Sequence, residues 1–318
     1  MRASSDELPR LDGPALEAAF FSVLNESVKV RVADICAACT PRVAVLFSGG
    51  LDCTVVSALV HRNLPHDEPV DLINVAFENP RALAAAEARG EARGTFDVPD
   101  RLSARASYAD LVRVAPRPWR LVEVDVPYHE YTGHLAHIEA LMYPSESVMD
   151  LSIAAALYFA GRAQGHIAGQ AYTSPARVFF SGLGADELLG GYSRHRQAAK
   201  RGTEALAAEL QLDLDRLPAR NLGRDDRVMS IHAREVRYPY LAWSVLSMLT
   251  ALPIAAKMDL GAEGGDKRLL RQLAAALGIS HASALAKRAI QFGTRSAKMD
   301  ADAARRKGNE RVCGGASS

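Results

Sequence analysis

The chain has 318 residues and little of what marks several protein classes. Four cysteines, Cys36, Cys39, Cys53 and Cys313, are too few for a disulfide scaffold, so a reducing, cytoplasmic setting is the default expectation. An excess of one charge is missing too. Lys and Arg (38) nearly cancel Asp and Glu (37), and the net +1 gives no global electrostatic case for a nucleic-acid or membrane partner. No apolar run approaches the length of a bilayer-spanning helix, and the opening MRASSDELPR lacks the apolar core of a signal peptide. No internal repeat is evident. What the chain does have is 48% hydrophobic residues, enough for one large domain, with or without a helical annex.

Apolar periodicity supplies the elements. Leu16, Phe20, Val23, Leu24, Val28, Val32 and Ile35 recur at helical spacing over 14–38 and predict an amphipathic helix packed on something larger. Pro41 ends that pattern. Val43–Phe47 then reads as a buried strand, 51–62 as a helix and Val70–Phe77 as a second strand, the order of a parallel α/β unit. Residues 78–118 are rich in Ala, Arg, Glu and Pro and hold at most a short helix at 103–114. Leu121–Val126 and Val178–Phe180 are further strand candidates, and 147–161 is an apolar helix between them. From about 193 the pattern is mostly helical. The expectation is an α/β fold: a parallel sheet of about five strands flanked by helices, with a helical C-terminal portion. A helical segment at 1–40 packs on the main domain, 41–300, and 301–318 reads as a disordered tail.

Two stretches carry chemistry. VAVLFSGGLDC ends a strand in Ser48-Gly49-Gly50 and opens a helix, which presents unpaired N–H groups and a helix dipole to an anion. No Gly-Lys-Ser/Thr follows, so this is not a Walker A loop. Asp52 would repel a bound phosphate, which suggests a bridging Mg²⁺; the alternative is an acid stabilising the first turn of its own helix. SGLGADELLGGY, Ser181–Tyr192, repeats the design with Asp186 and Glu187. Two such corners at strand ends of one sheet face a common crevice, where two carboxylates could hold one Mg²⁺. The alternative there is a short helix that starts on Asp-Glu and closes on Gly-Gly-Tyr.

With these motifs the chain resembles the synthetase domain of the asparagine synthetases, within the ATP-pyrophosphatase superfamily. SGGLDC matches the family loop Ser-Gly-Gly-Leu/Ile-Asp-Ser, and SGLGADELLGGY matches a second family motif. RYPYLA (Arg237–Ala242) matches Arg-x-Pro-x-Leu-Asp, and DKRLLR (Asp266–Arg271) matches Glu-Lys-x-x-Leu-Arg. LINVAF, GYSRHR, RNLGRDDRVMS and KRAIQFGTR are similar to a divergent branch, the asparagine synthetase domain-containing proteins. The resemblance implies an adenine nucleotide alpha-hydrolase-like fold and an AMP-forming amide synthetase. A carboxylate, aspartate or an analogue, attacks the α-phosphorus of ATP, pyrophosphate leaves, and ammonia attacks the acyl-adenylate. Carried over by position, Ser48, Gly49, Gly50, Asp52 and Cys53 would bind pyrophosphate, and Asp52 with Asp186 would hold Mg²⁺. Phe47, Val75, Ser181 and Gly182 would line the adenosine pocket, and Lys267 would offset charge building on the α-phosphoryl group. Lys267 also stands out by itself. It follows the glycine-rich GAEGGD at the positive end of a helix, misplaced for structure but suited to delivering a cation; the alternative is a solvated surface lysine.

The match departs in three places. Leu183 stands where asparagine synthetases carry a glutamate; the divergent branch is apolar there too. Ala242 replaces the acid closing the third motif. Glutamine-hydrolysing members begin Met-Cys and place a whole glutaminase domain ahead of the synthetase, whereas about 40 residues precede the first loop here. Nitrogen is then expected as free ammonia, from a partner subunit, or from a glutaminase domain of a longer parent chain. The rival reading is a nucleotide-binding scaffold without ligase activity, or an adenylating enzyme for another carboxylate and amine.

Other candidates read as bland. Cys36 and Cys39 suit two core thiols better than a metal pair. His134 and His137 lack a third ligand. Asp150 either faces substrate or caps its helix. The basic stretch 287–311 has no aromatic interleaving for RNA, and its first half, KRAIQFGTR, is within possible reach of the pyrophosphate.

Overall fold

A computed structural model describes residues 13–36, 40–79, 88–89, 96–299 and 311. Helix α1 (Gly13–Ala33) precedes strand β1 (Val43–Leu46), followed by α2 (Leu51–Asn63), β2 (Val70–Phe77), α3 (Pro99–Val114) and β3 (Trp119–Val126). Next come α4 (Tyr128–Met142), α5 (Val148–Arg162), β4 (Gln164–Ile167), β5 (Gln170–Thr173) and β6 (Val178–Phe180). The short α6 (Ala185–Leu189) and α7 (Ser193–Ala199) lead to α8 (Thr203–Leu217), a π-helical turn (Pro218–Leu222), α9 (Gly223–Ser230) and β7 (Glu235–Arg237). The C-terminal portion is helical as expected: α10 (Trp243–Ala251), α11 (Ile254–Lys257), α12 (Arg268–Ala276), α13 (His281–Ala284) and α14 (Ile290–Gly293).

The seven strands form one sheet in the order β5-β4-β3-β2-β1-β6-β7. Five of them, β3-β2-β1-β6-β7, run parallel, and the hairpin β4-β5 adds an antiparallel edge. That hairpin turns through Ala168 (φ 48°) and Gly169 (φ 82°), both left-handed. Alanine rarely adopts that region, so no turn signal marks the hairpin in the sequence.

Both faces of the central strands β1 and β6 are apolar because both are covered. Val43 and Val45 of β1, with Val178 and Phe180 of β6, pack beneath α1, α2, α10 and α12. The alternate residues, Ala44 and Phe179, face α4, α5 and α9. α1 is thus part of the main core, through Leu16, Phe20, Leu24, Val28 and Val32. α3 begins four residues before the expected 103, with Pro99 in its first turn, where a missing N–H is harmless. Cys36 corrects an expectation: it is exposed rather than in the core, and Cys39 and Cys313 lie outside the described residues. The expected tail, 301–318, also lies outside them apart from Arg311, whose guanidinium meets Glu146 at 2.9 Å. No helix among the described residues is long and apolar enough to cross a membrane.

Strand order reverses between β1 and β6: α2 carries the chain to β2 on one side, while β6 lies on the other. Such a switch point opens a crevice at the C-terminal strand ends. The first loop is held there tightly. Gly49 has φ +75°, and a Cβ on it would overlap the backbone of Ser103 and Ala104 at the wall formed by α3. Its carbonyl accepts from Ser107 Oγ at 2.6 Å. Gly49→Ala combines left-handed strain with overpacking, so it should lower the unfolding free energy in urea by roughly 3 kcal/mol.

Candidate functional site

The loop after β1 is shaped by bonds to its own helix and to β2. Phe47 N–H donates to the Ile73 carbonyl (2.8 Å), and Asn74 Nδ2 donates to the Phe47 carbonyl (2.9 Å). The Gly50 carbonyl accepts from Thr54 Oγ1 (2.7 Å) and Cys53 Sγ (3.3 Å). The first N–H groups of α2 have no intrahelical partner and point out of its start. Burial pushes the Cys53 thiol up, so it stays protonated and acts as a weak donor.

The second corner lies directly against the first. A Cβ on Gly182 would stand 2.7 Å from Asp52 Cβ, so the two turns touch only because position 182 has no side chain. Gly184 (φ +102°) and Gly190 (φ +79°) bracket α6, and Gly191 leaves space filled by the Asp186 carboxylate. Glu187 folds back, its Oε2 accepting from Gly184 N–H (3.1 Å) and its Oε1 from the Tyr192 hydroxyl (2.5 Å). The third motif is a brace for these turns: Tyr240 Oη donates to the Asp52 carbonyl at 3.1 Å, and the Tyr240 and Leu241 side chains close over Gly184.

Lys267 joins the two acids. Its Nζ lies 2.7 and 2.6 Å from the Asp52 carboxylate oxygens and 2.6 Å from Asp186 Oδ1. It is the N-cap of α12 in a left-handed conformation (φ 53°), its N–H bonded to the Leu189 carbonyl at 2.9 Å, and it is only 3% exposed. It is therefore no solvated surface lysine. Lys287 contacts Asp186 from the opposite side. Burial raises the Asp52 carboxyl above its ordinary range, with Lys267 offsetting only part of the effect. Burial acts the same way on Asp186, but Lys267 and Lys287 together outweigh it and hold that carboxyl below its ordinary range.

Asp52, Asp186 and Lys287 border a cleft of about 720 Å³. Phe47, Ser48, Gly50, Asp52, Cys53, Val75, Ser181, Gly182 and Asp186 all line it. Gly49 is folded against α3 instead, and Lys267 lines a smaller recess of about 120 Å³ that shares Ser48, Gly50 and Asp52 with the cleft. One wall is apolar, from Leu46, Ile73 and Val75 to Ile153 and Leu157, and the other is charged. Leu183 lines the cleft as well, an apolar group where a carboxylate was the alternative. Asp150 does not line it. Ser147 Oγ caps α5 by accepting from Asp150 N–H (3.1 Å), while Asp150 Oδ1 accepts from Arg224 (2.7 Å). His134 is satisfied by Tyr158 Oη (3.2 Å) and Arg162 Nη1 (3.3 Å).

Asp100, to which no sequence pattern points, lines the same cleft. Burial pushes its carboxyl up to about 7, against the pull of Arg288 and Lys287, so much of its charge is absent near neutral pH. No motif marks it; it arrives with α3, whose start follows a stretch without periodicity. The donors also suit a divalent ion. Among the described residues no three His, Cys, Asp or Glu side chains form a cage. Mg²⁺, however, is commonly held by one or two carboxylates together with phosphate oxygens, and Asp52 and Asp186 meet on a single ammonium.

An open α/β domain with two glycine corners across its strand-order reversal has the crevice at which such sheets bind ligands, outside the carboxyl ends of the strands. The chain belongs to the asparagine synthase family, whose sequence model matches residues 22–208 and 197–312. It is 40% identical to asparagine synthetase domain-containing protein 1 of Gallus gallus over 333 residues, covering 89% of this chain and 52% of that protein. It is 38% identical to the Homo sapiens protein of the same name, over 88% of this chain and 51% of that protein. An asparagine synthetase domain-containing protein of Saccharomyces cerevisiae is 40% identical over 89% of this chain and 53% of its own length. The chain spans about half the length of the curated relatives it matches.

The protonation of Asp100 has a measurable consequence. The unfolded carboxyl loses its proton near pH 4, whereas the folded one keeps it to about pH 7. The folded state binds more protons across that window, so stability declines as pH rises through it. Asp100→Asn should therefore be more stable than the wild type at pH 8 by about 2–4 kcal/mol, and the difference should vanish below pH 4 in denaturant titrations.

Proposed function

We propose that this domain activates a carboxylic acid with ATP and forms an amide. The supporting observation is the meeting of Asp52, Asp186 and Lys267 where two anion-binding corners touch, beside a cleft with one apolar and one charged wall. In this reading the apolar wall, with Phe47 and Val75, takes the adenosine, and Ser181 and Gly182 border it. The Ser48–Cys53 corner takes the β- and γ-phosphates on the N–H groups of α2. Asp52 and Asp186 would hold Mg²⁺, which when bound neutralises charge on the departing pyrophosphate.

The substrate carboxylate, from aspartate or an analogue, attacks the α-phosphorus, and the bond to pyrophosphate breaks. Ammonia then attacks the acyl carbon and AMP leaves. Lys267 lies beside the corner where negative charge develops on the α-phosphoryl oxygens, and its ammonium stabilises that charge. Its backbone, fixed at a helix start and tied to Leu189, keeps the cation in register without reorganisation. Nitrogen arrives as free ammonia or from a glutaminase domain or subunit of the parent protein. The reading also puts the protein in the cytoplasm, a reducing setting that suits the free thiols Cys36 and Cys53.

One observation favours a second reading. Leu183 can neither orient a substrate by hydrogen bonds nor move protons, and it lines the cleft; this suits a nucleotide-binding scaffold without ligase activity. ATP–pyrophosphate exchange with a panel of carboxylic acids, aspartate included, separates the two. Exchange with at least one acid is expected, falling roughly 10²–10³-fold in Lys267→Ala and in Asp52→Asn. ATP binding without exchange for any acid favours the scaffold.

A further inference from the structure

Beyond the phosphate corners and the apolar wall, the cleft is lined by Met149 at the start of α5 and by the π-helical turn Pro218–Leu222 that joins α8 to α9. Wide turns of this kind recur at functional sites. Arg216 and Arg220, four residues apart, stand on one face of this helical path, and both line the cleft, as does Asn221. Arg220 faces Met149 of α5, and one turn further on Arg224 bonds the neighbouring Asp150, so the turn and the start of α5 close on each other here.

The arginines of the cleft differ in what they are committed to. Arg194 meets Asp213 at 2.6 Å, Arg196 meets Asp266 at 2.9 Å, and Arg224 meets Asp150 and Asp225, each at 2.7 Å. Arg220 has only the Met149 sulfur, a weak acceptor 3.9 Å from its Nη2. Among the described residues no hydrogen bond or ion pair engages the side chains of Arg216 and Asn221. The acids on this side already have partners. Asp213 Oδ2 meets Arg194 and His195, Asp225 Oδ1 accepts from both Nε and Nη2 of Arg224, and Glu187 accepts from Tyr192 and Gly184. Leu183 adds no acceptor to the cleft. A ligand entering here meets free guanidinium and amide donors, and each carboxylate it passes is already occupied.

We propose that Arg220, with Arg216 and Asn221, forms an anion subsite for the acyl substrate, and that the acid activated here is a dicarboxylate without a free ammonium group. One carboxylate reaches the α-phosphorus, and the second lies against the Arg220 guanidinium, whose planar fork matches two carboxylate oxygens. Met149 and Ile153, one turn apart on α5, offer the intervening carbon chain an apolar surface. The identity of the reaction rests on the carboxylate-activating reading above, which the assignment narrows to a dicarboxylic acid, or an acidic amino acid with its nitrogen blocked. A free α-ammonium would lie beside unpaired guanidinium groups, with an apolar Leu183 in place of a carboxylate to pair it.

ATP–pyrophosphate exchange with matched acids tests the class. Succinate and glutarate carry the second carboxylate, butyrate and pentanoate lack it, and aspartate and glutamate add an ammonium to the same skeletons. In the wild type the better diacid should exceed its matched monoacid and its matched amino acid in kcat/KM by roughly 10- to 100-fold, the equivalent of a charge-assisted hydrogen bond. Arg220→Gln should erase most of the diacid-to-monoacid ratio, a quantity that loss of folded protein does not alter, and Arg220→Lys should recover part of it. A wild-type ratio near one, an amino acid that matches its diacid, or a ratio that survives Arg220→Gln overturns the assignment. Calorimetric titration of the two diacids into the chain reads the subsite without chemistry. If no acid supports exchange, yet a diacid binds and Arg220→Gln weakens it by about 10-fold or more, the ligase reading falls and the subsite stands. If neither diacid binds the wild type, the subsite falls.

Discussion

Two carboxylates brought together in a desolvated crevice repel each other, and the rest of this site is organised around relieving that. At about 4 Å and an intermediate dielectric, such a like-charge pair costs on the order of 4 kcal/mol. Lys267 reverses the sign by placing one ammonium against both carboxylates. The arrangement stabilises the fold less than it constrains it. A buried ion pair contributes little net stability, but removing one partner strands a charge at a cost of about 3–5 kcal/mol. Several local features follow. Position 182 carries no side chain because the two corners touch, and position 191 carries none because Asp186 fills that space. Lys267 adopts a left-handed conformation because its backbone must end one connection, bond Leu189 and start α12 at the same residue.

The sheet supplies the other half of the design. The central strands β1 and β6 are apolar on both faces, and the two glycine corners sit at their C-terminal ends. The reversal between β1 and β6 puts both corners at one such end, and β2 with α5 continues it into an apolar wall. The cleft therefore has a wall suited to a base and a wall suited to phosphates without any element dedicated to either. The C-terminal helices close the charged side, and Arg271 and Asp266 set the spacing of the two lysines they carry.

Much of this was legible in the chain itself. Val43–Leu46, Val70–Phe77 and Val178–Phe180 are short apolar runs next to glycine or polar turns, and local composition decides such elements. The corners were legible because Ser-Gly-Gly and Gly-Ala-Asp-Glu need their residue types for local reasons: close approach, positive φ and a helix start. The hairpin β4-β5 was not, because its turn uses an alanine in a left-handed conformation. The exposure of Cys36 was not legible either; its neighbours are apolar, but α1 ends at Ala33, before them. Asp100 and the partners of Asp150 depend on which surfaces meet, and no period or motif encodes that.

The sequence by itself determined the parallel α/β class, the two glycine corners and the candidate status of Asp52, Asp186 and Lys267, because each rests on residue types acting over a few positions. Only the tertiary structure decided that Lys267 bonds both acids, that Lys287 approaches Asp186 from the far side and that Asp100 is buried beside them. Those facts join residues as far as 215 positions apart. Contacts at such separations are set by how helices and strands pack, and local residue order carries no record of them.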